Sequence, residues 1–296
     1  MVTGGGHREV RFPKAPDREV VLRNQASEWY SDVSGIRMWL SDRLLVRWIY
    51  DLLFCRGDFV RTIVQRPVVR QAIGTKPLGR VLDSGCGRGM YTPFLWQRAR
   101  LVVGLEFSED HLRTMLRRHG HEPGVRFLRA SAEALPFRDG SFDFLLCTEV
   151  LEHLRNDRQA LAEVARVLAP GGRAVISVPV PPAPIRDREH VREGYTLADL
   201  EQMLSEAGLG AGKPRYCLFG ISRMTMRIAS WYSDHVPLPL PSLLKVPLYL
   251  ERLRTHQGSG GLPYDLVLEV TKRLAEGGQR MGAEKSRETV PAGGVR

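Results

Sequence analysis

A glycine-rich turn between a predicted strand and a predicted helix constrains this chain more than any other stretch. The segment RVLDSGCGRGMYTPFL begins at Arg80, and its apolar start ends in an acid, Asp83. Gly85, Gly87 and Gly89 follow at every second position. A strand that leads through such a turn into a helix leaves backbone N–H groups near a helix N-terminus, where a ligand can bind. Glycine suits the turn because the backbone must bend tightly and let the ligand approach.

The spacing of these glycines indicates which ligand the turn suits. Dinucleotide-binding folds use G-x-G-x-x-G, whereas this chain has G-x-G-x-G with Asp83 two residues before the first glycine. That carboxylate would repel a pyrophosphate, but it suits the ammonium group of an amino-acid ligand. The pattern therefore disfavours a nicotinamide-dependent dehydrogenase.

A second acid follows at the end of the next predicted strand, 101–107. Glu106 lies 17 residues after Gly89, close to the distance of roughly 20 residues at which nucleotide-binding α/β folds place a ribose-binding acid. Ser108 then begins a predicted helix that ends at Gly120, with acids in its first turn. Two features in register now favour a nucleoside-containing ligand.

Together with two later segments, this stretch resembles the class I S-adenosylmethionine-dependent methyltransferases, in particular those with a type-11-like domain. Residues 83–89 match D-x-G-C-G-x-G. The segment ASAEALPF at 130–137 resembles D-A-x-x-L-P-F, with Ser131 where the family usually has aspartate. The segment LAPGGRA at 168–174 matches a third family pattern. The resemblance covers roughly residues 76–271.

The resemblance implies an α/β fold: a Rossmann-like, seven-stranded, mostly parallel sheet with helices on both faces and an antiparallel last strand. The strands are predicted at 80–84, 101–107, 125–129, 142–147, 173–179, 215–219 and 264–270. We predict an N-terminal arm and helical extension at residues 1–75, a methyltransferase domain at 76–271 with a lid-like insertion at 221–261, and a polar, disordered tail at 272–296. In the extension, Tyr30 is a candidate to cover the cofactor, although a core aromatic is the simpler interpretation.

The resemblance also implies roles for residues that bind the cofactor, S-adenosyl-L-methionine. Asp83 balances its ammonium group, and the backbone of Gly85, Cys86 and Gly87 offers N–H groups and room for its methionine part. Glu106 holds the ribose. The remaining candidates lie at the adenine or at the sulfonium end: Phe107, Ser131 and Ala132 at the adenine, Thr148 and Glu149 at the sulfonium.

Two histidines are candidate catalytic bases, because a base is needed if the methyl acceptor must lose a proton. His190 lies in the predicted loop after strand five, and His153 lies in the LEHL segment after strand four. A structural role for His153 and a weaker candidate, Tyr195, stay open. The letters E-x-x-E-H from Glu149 also resemble a metal-binding motif of some other methyltransferases, but metal-free relatives share them, and we expect no metal.

The insertion at 221–261 contains too many apolar residues for a loop without a packing or binding role, and its repeated prolines exclude one straight helix. It either packs on the core as a helical lid, or walls an apolar acceptor site or contacts a membrane surface. We therefore expect a small, apolar or lipid-like methyl acceptor. An RNA-modifying methyltransferase and a non-catalytic cofactor-binding scaffold are the alternatives.

Composition narrows the choice of partners. The net charge is +10, but the basic residues are mostly arginines scattered along the chain, so we do not expect a nucleic-acid surface. The four cysteines form no C-x-x-C pair, and no apolar run is long enough to span a bilayer. The start of the chain lacks the order of a signal peptide. These features predict a cytoplasmic protein.

Overall fold

The computed structural model describes residues 52–55, 58–185, 187–254 and 261–273. The predicted arm, the predicted helical pattern up to residue 51, Tyr30 and the tail from residue 274 lie outside the described residues. Among the described residues, no helix combines the length and apolarity that crossing a bilayer requires.

Strands and helices alternate along most of the described chain. A π-helical turn (Arg61–Gln65) leads into the first helix. The helices are α1 (Arg66–Ile73), α2 (Thr92–Trp96), α3 (Glu109–His119), α4 (Asp157–Val167), α5 (Leu197–Glu206), α6 (Gly220–His235) and α7 (Lys245–Arg254). The strands are β1 (Gly79–Ser84), β2 (Ala99–Glu106), β3 (Val125–Arg129), β4 (Phe142–Thr148), β5 (Leu168–Pro179), β6 (Leu209–Cys217) and β7 (Asp265–Lys272).

The seven strands form one sheet in the order β3-β2-β1-β4-β5-β7-β6. The first five pair in parallel, and β7 runs antiparallel between β5 and β6. This confirms the predicted Rossmann-like, mostly parallel sheet with an antiparallel last strand. The strand order reverses next to β1, which is where ligands bind in open α/β sheets.

Successive side chains of each strand point to opposite faces of the sheet, so the apolar core is divided between the two faces. On β1, Leu82 packs in a cluster with residues of α4 and α5, whereas its neighbour Val81 packs in a second cluster with residues of α1 and α2. Both side chains are fully buried. When a sheet is covered on both faces in this way, the sequences of its central strands are near-continuous apolar runs.

The sixth strand differs from its prediction. It was expected at 215–219, but β6 begins at Leu209 and ends at Cys217. The added part of the strand contains Gly210, Gly212 and Pro214, residue types that are depleted in strands. They are tolerated here because β6 is the edge strand of the sheet. The helix after the glycine turn is also shorter than expected, starting at Thr92 before Pro93.

Three predicted helix starts have the expected capping side chains. The Ser108 side chain accepts from the His111 N–H at the start of α3, and Asn156 accepts from Gln159 at the start of α4. At α5, Thr196 and Asp199 form a complete capping box. Leu200, in the first turn of α5, is fully buried.

The capping box predicts a measurable loss of stability. We expect Thr196→Ala to lower the free energy of unfolding by about 1 kcal/mol, because the first turn of α5 loses its side-chain acceptor. Urea titration followed by circular dichroism measures this change. The matched control is Thr114→Ala, since Thr114 lies in the middle of α3 and bonds back to the Asp110 carbonyl, where alanine is a better helix former. An equal loss in both variants would contradict the assignment.

Candidate functional site

The glycine turn after β1 adopts backbone angles that favour glycine. Gly85, Gly87 and Gly89 all have positive φ, at 73°, 53° and 80°. A Cβ on Gly85 would lie 2.3 Å from a methyl carbon of Val150, so a side chain cannot fit there. A Cβ on Gly87 would have no atom of the other described residues within 4 Å, its two chain neighbours aside. The turn therefore leaves room for a ligand at Gly87.

The backbone N–H groups of this turn are used within the protein. Those of Gly85 and Cys86 donate to the Leu105 carbonyl at 2.8 and 3.0 Å, and that of Gly87 donates to Glu106. This differs from the expectation that the three N–H groups are offered to the cofactor, because the turn is bonded to the end of β2. The Cys86 thiol is also buried, and this burial raises its pKa, so it is not a reactive thiol.

Glu106 is held by the backbone at both carboxylate oxygens. Its Oε2 accepts from the Gly87 N–H and its Oε1 from the Ser108 N–H, each at 2.8 Å. These bonds join the turn after β1 to the start of α3. They orient the carboxylate at the carboxyl edge of the sheet, where the sequence predicted a ribose ligand.

The Asp83 carboxyl group is buried, and the protein does little to stabilise its negative charge. It is 2% exposed, and its Oδ2 accepts one hydrogen bond from the Thr92 hydroxyl at 3.0 Å. Burial, with a smaller contribution from the nearby Glu106, raises the pKa of Asp83 to about 7. A bound ammonium group would supply the missing positive charge and favour the ionised form.

The predicted adenine contacts lie along the same edge. Phe107 follows β2 with its ring 69% exposed, and the Arg129 guanidinium lies 6.0 Å from its centre. The Ser131 hydroxyl accepts from the Glu133 N–H at 3.1 Å, and Ala132 is buried. An exposed aromatic ring is available for stacking, whereas the Ser131 hydroxyl already has one partner.

The other end of the site contains a polar cluster that the sequence did not predict. Glu149 follows Thr148, the last residue of β4, and has an unusual positive φ of 54°. Its carboxylate accepts from Arg61 at 2.7 Å, from Gln65 at 3.1 Å and from the Ser177 hydroxyl at 2.9 Å. A strained backbone held by three partners is typical of a functional site.

Asp265, the first residue of β7, extends this cluster. It is fully buried, and its Oδ2 accepts from Gln65 at 2.7 Å and from the Cys217 thiol at 3.2 Å. Burial, then Glu149, raises its pKa well above the usual range. Single polar residues in apolar strands, such as Ser177 and Asp265, were the available signal for these contacts. No local pattern in the sequence indicates that Arg61 and Gln65 lie beside Glu149 and Asp265.

The two predicted bases lie together. The rings of His153 and His190 meet edge to face with their centres 4.7 Å apart. Burial, then His153, lowers the pKa of His190, so its imidazole is neutral at pH 7 and able to accept a proton. Tyr195 differs, because its buried hydroxyl donates to Asp157 at 2.9 Å and serves to fix the loop before α5.

Glu152, in the short 3₁₀ turn Leu151–His153, completes this part of the site. It is 0% exposed, and neither of its carboxylate oxygens has a hydrogen-bond partner among the described residues. Burial, then Glu149, raises its pKa well above the usual range. One donor atom from each of Glu152, His153 and His190 lies within 4.8 Å of the others, a grouping that could hold a metal ion.

We expect Asp83→Asn to stabilise the fold at neutral pH and to weaken cofactor binding. The unfolded chain loses this proton near pH 4 and the folded chain near pH 7. Between these two pH values Asp83 is ionised in the unfolded chain but protonated in the folded chain. The wild-type free energy of unfolding therefore falls by up to about 1.4 kcal/mol per pH unit in that window. Asparagine keeps an acceptor for Thr92 without this cost, so the advantage of the variant should grow from pH 4 to 7 and then stay level.

Urea unfolding across this pH range measures the first effect, and calorimetric titration with S-adenosylhomocysteine at pH 8 measures the second. We expect at least a tenfold loss of affinity for Asp83→Asn and for Glu106→Gln, while the exposed control Glu109→Gln binds like the wild type. Unchanged affinity in both site variants would contradict these roles.

Three comparisons place the chain among known proteins. Residues 82–176 match the family model described as a methyltransferase domain. The demethylmenaquinone methyltransferase of Clavibacter sepedonicus is 39% identical over 119 residues, which cover 40% of this chain and 46% of the relative. The phthiotriol/phenolphthiotriol dimycocerosates methyltransferase 1 of Mycobacterium ulcerans is 35% identical over 125 residues, covering 42% and 46%. The chain thus spans about half the length of these curated relatives.

A solved structure agrees on the fold. The structure of a proposed S-adenosylmethionine-dependent methyltransferase from Listeria monocytogenes has a TM-score of 0.52 at 17% identity, covering 74% of this chain and 100% of that one. The family match, the glycine turn and the sheet agree with one another. The chain therefore carries a methyltransferase domain of the class I S-adenosylmethionine-dependent family, and S-adenosylmethionine is the cofactor of that domain.

Proposed function

We propose that this protein transfers the methyl group of S-adenosylmethionine to a small, apolar, lipid-like acceptor. The observation that carries the proposal is the position and surface of the helical insertion α6–α7. It leaves the sheet after Cys217 and returns at Asp265, two residues that pair with each other at the edge where Pro179 ends β5. The insertion therefore begins and ends at the carboxyl edge, beside the cofactor crevice.

The insertion carries polar groups inside and apolar groups outside. Glu251 of α7 is 2% exposed, and it accepts from the Phe219 and Ser222 N–H groups and from the Ser222 hydroxyl at 2.6–2.9 Å. The outer apolar side chains follow the same i, i+4, i+7 spacing on both helices and are 42–72% exposed: Met224, Ile228 and Trp231 on α6, Val246, Leu250 and Leu253 on α7. Contiguous apolar surface of this kind is typical of a surface that meets an apolar partner.

Bound S-adenosylmethionine supplies a methyl group already activated by its positively charged sulfur. The protein has to hold and align it, because proximity and orientation carry much of such a reaction. In this proposal Asp83 binds the ammonium group, Glu106 the ribose, and Phe107, Ser131 and Ala132 the adenine. Gly85, Cys86 and Gly87 leave room for the methionine part.

Thr148 and Glu149 border the sulfonium end in the same proposal. Carboxyl groups outnumber cations there among the described residues that act on the pKa values of Glu152 and Asp265: the half-buried Glu149 is the third carboxyl group, and Arg61 is the cation. Such a cluster favours a cationic ligand over an anionic one. His190 is the candidate base for an acceptor that must lose a proton, with His153 beside it.

The names of the two relatives support the chemical class of the acceptor, since one is named for a quinone and the other for dimycocerosates. An acceptor of this class resides in or near a bilayer. We therefore also propose that the outer face of α6–α7 contacts the membrane surface peripherally, aided by the net charge of +10.

Transfer of labelled methyl groups tests the acceptor class. We incubate the full chain with methyl-labelled S-adenosylmethionine and a bacterial extract, and then separate lipids, RNA and protein. We expect label in the organic phase and at least a tenfold loss of label with Glu106→Gln, while Glu109→Gln stays active. Label in RNA would instead support an RNA-modifying enzyme. Absence of transfer despite binding of S-adenosylhomocysteine would point to a scaffold.

Vesicle binding tests the proposed membrane contact. We expect the protein to co-sediment with vesicles that contain anionic phosphatidylglycerol, and the double variant Trp231→Ser, Leu253→Ser to lose at least fivefold in binding. The matched control is Leu116→Ser, which removes an exposed leucine from α3. Equal sedimentation of both variants would contradict the assignment of this face.

A further inference from the structure

We propose that Glu152, His153 and His190 form a binding site for a divalent transition-metal ion. The site joins the 3₁₀ turn after β4 to the loop after β5, and it lies at the acceptor end of the cofactor crevice. One donor atom from each of the three residues lies within 4.8 Å of the others. This departs from the expectation of a metal-free site, and it does not depend on the proposed function.

The Glu152 carboxyl group lacks the partners that a buried carboxyl group normally has. It is fully buried, and neither oxygen has a hydrogen-bond partner within the part of the chain that the structure describes. A buried carboxyl group without partners is costly, and buried charges are normally paired or coordinate a metal. The His153 imidazole lies beside this carboxyl group, with its Nε2 3.8 Å from Glu152 Oε1. An ion between these atoms would supply the missing partner.

The imidazole of His153 is already oriented for this role. Its Nδ1 lies 3.2 Å from the Glu189 carbonyl oxygen, so Nδ1 carries the proton and Nε2 is left with its lone pair facing Glu152. Histidines that bind metals almost always donate their other N–H to a carbonyl or carboxylate in this way. The Nε2 of His190 lies 3.6 Å from an oxygen of Asp187, which offers a similar outer partner.

Small side-chain movements would complete the coordination. Zinc binds nitrogen and oxygen at about 2.0–2.2 Å in tetrahedral geometry, so its ligands lie about 3.4 Å apart. The three donors must therefore approach by about 1.4 Å at most, relative to the present 4.8 Å. The backbone is held in place for this, because the Val191 N–H donates to the Glu152 carbonyl at 2.9 Å.

The donor set identifies the class of ion. Two imidazoles and one carboxylate suit zinc, cobalt or nickel, whereas magnesium and calcium prefer oxygen ligands. Glu149 is not a ligand in this proposal, because its oxygens are bonded to Arg61, Gln65 and Ser177. Three protein ligands leave open positions on the ion. The histidines act here as ligands, so a metal-bound His190 is not available as a base.

Metal titration of the tag-free, EDTA-treated full chain tests the proposal. We expect one Co²⁺ per chain, with the visible absorption of a nitrogen- and oxygen-ligated site, displacement of Co²⁺ by Zn²⁺, and no displacement by equimolar Mg²⁺. His190→Gln and Glu152→Gln should each lower Zn²⁺ affinity at least a hundredfold in calorimetry. The matched control is His121→Gln, because His121, which follows α3, lies 3.6 Å from the buried Glu122 in a similar pair.

Several outcomes would overturn the site: no binding of Co²⁺ or Zn²⁺ at micromolar protein, binding that survives both ligand substitutions, or equal loss in the His121 control. Folding is checked by the melting temperature without metal. Glu152→Gln should melt no lower than the wild type, because a neutral amide replaces a buried carboxyl group without partners. If Glu152→Gln unfolds, the Zn²⁺ affinity of His190→Gln, a substitution in the loop after β5, tests the metal site by itself.

Discussion

Buried carboxyl groups along one edge of the sheet are the constraint on which the site depends. Asp83, Glu152 and Asp265 all lie at the carboxyl edge, and burial raises the pKa of each. Among the described residues, Asp83 accepts a hydrogen bond from the Thr92 hydroxyl, and the Arg61 guanidinium partly compensates Glu152 and Asp265. Such burial costs stability, and it favours cationic ligands. An ammonium group, a sulfonium and a metal ion are the species that this edge suits.

The same edge connects parts of the chain that are far apart in sequence. Gln65, before α1, bonds both to Glu149 after β4 and to Asp265 at the start of β7. The Phe219 and Ser222 N–H groups at the start of α6 bond Glu251 of α7. The segment before α1 is therefore anchored to Glu149 and Asp265, whereas the two helices of the insertion are joined to each other through Glu251.

Much of the cofactor side could be predicted because its signals are local. The glycine spacing, the acids at the ends of β1 and β2, and the caps of α3 and α5 are read from residues a few positions apart. The use of the turn's N–H groups was not predictable in this way. Whether Cys86 donates to a ligand or to Leu105 depends on how closely two strands approach each other.

The sequence by itself determined the fold class, because hydrophobic alternation and turn chemistry act over short distances, and its family resemblance indicated the cofactor. Only the tertiary structure decided which polar groups meet. Arg61 pairs with Glu149 across 88 positions, and Gln65 pairs with Asp265 across 200. It also decided that Glu152 is buried without a partner beside two imidazoles. Such pairings follow from the order of strands in the sheet, which no local pattern encodes.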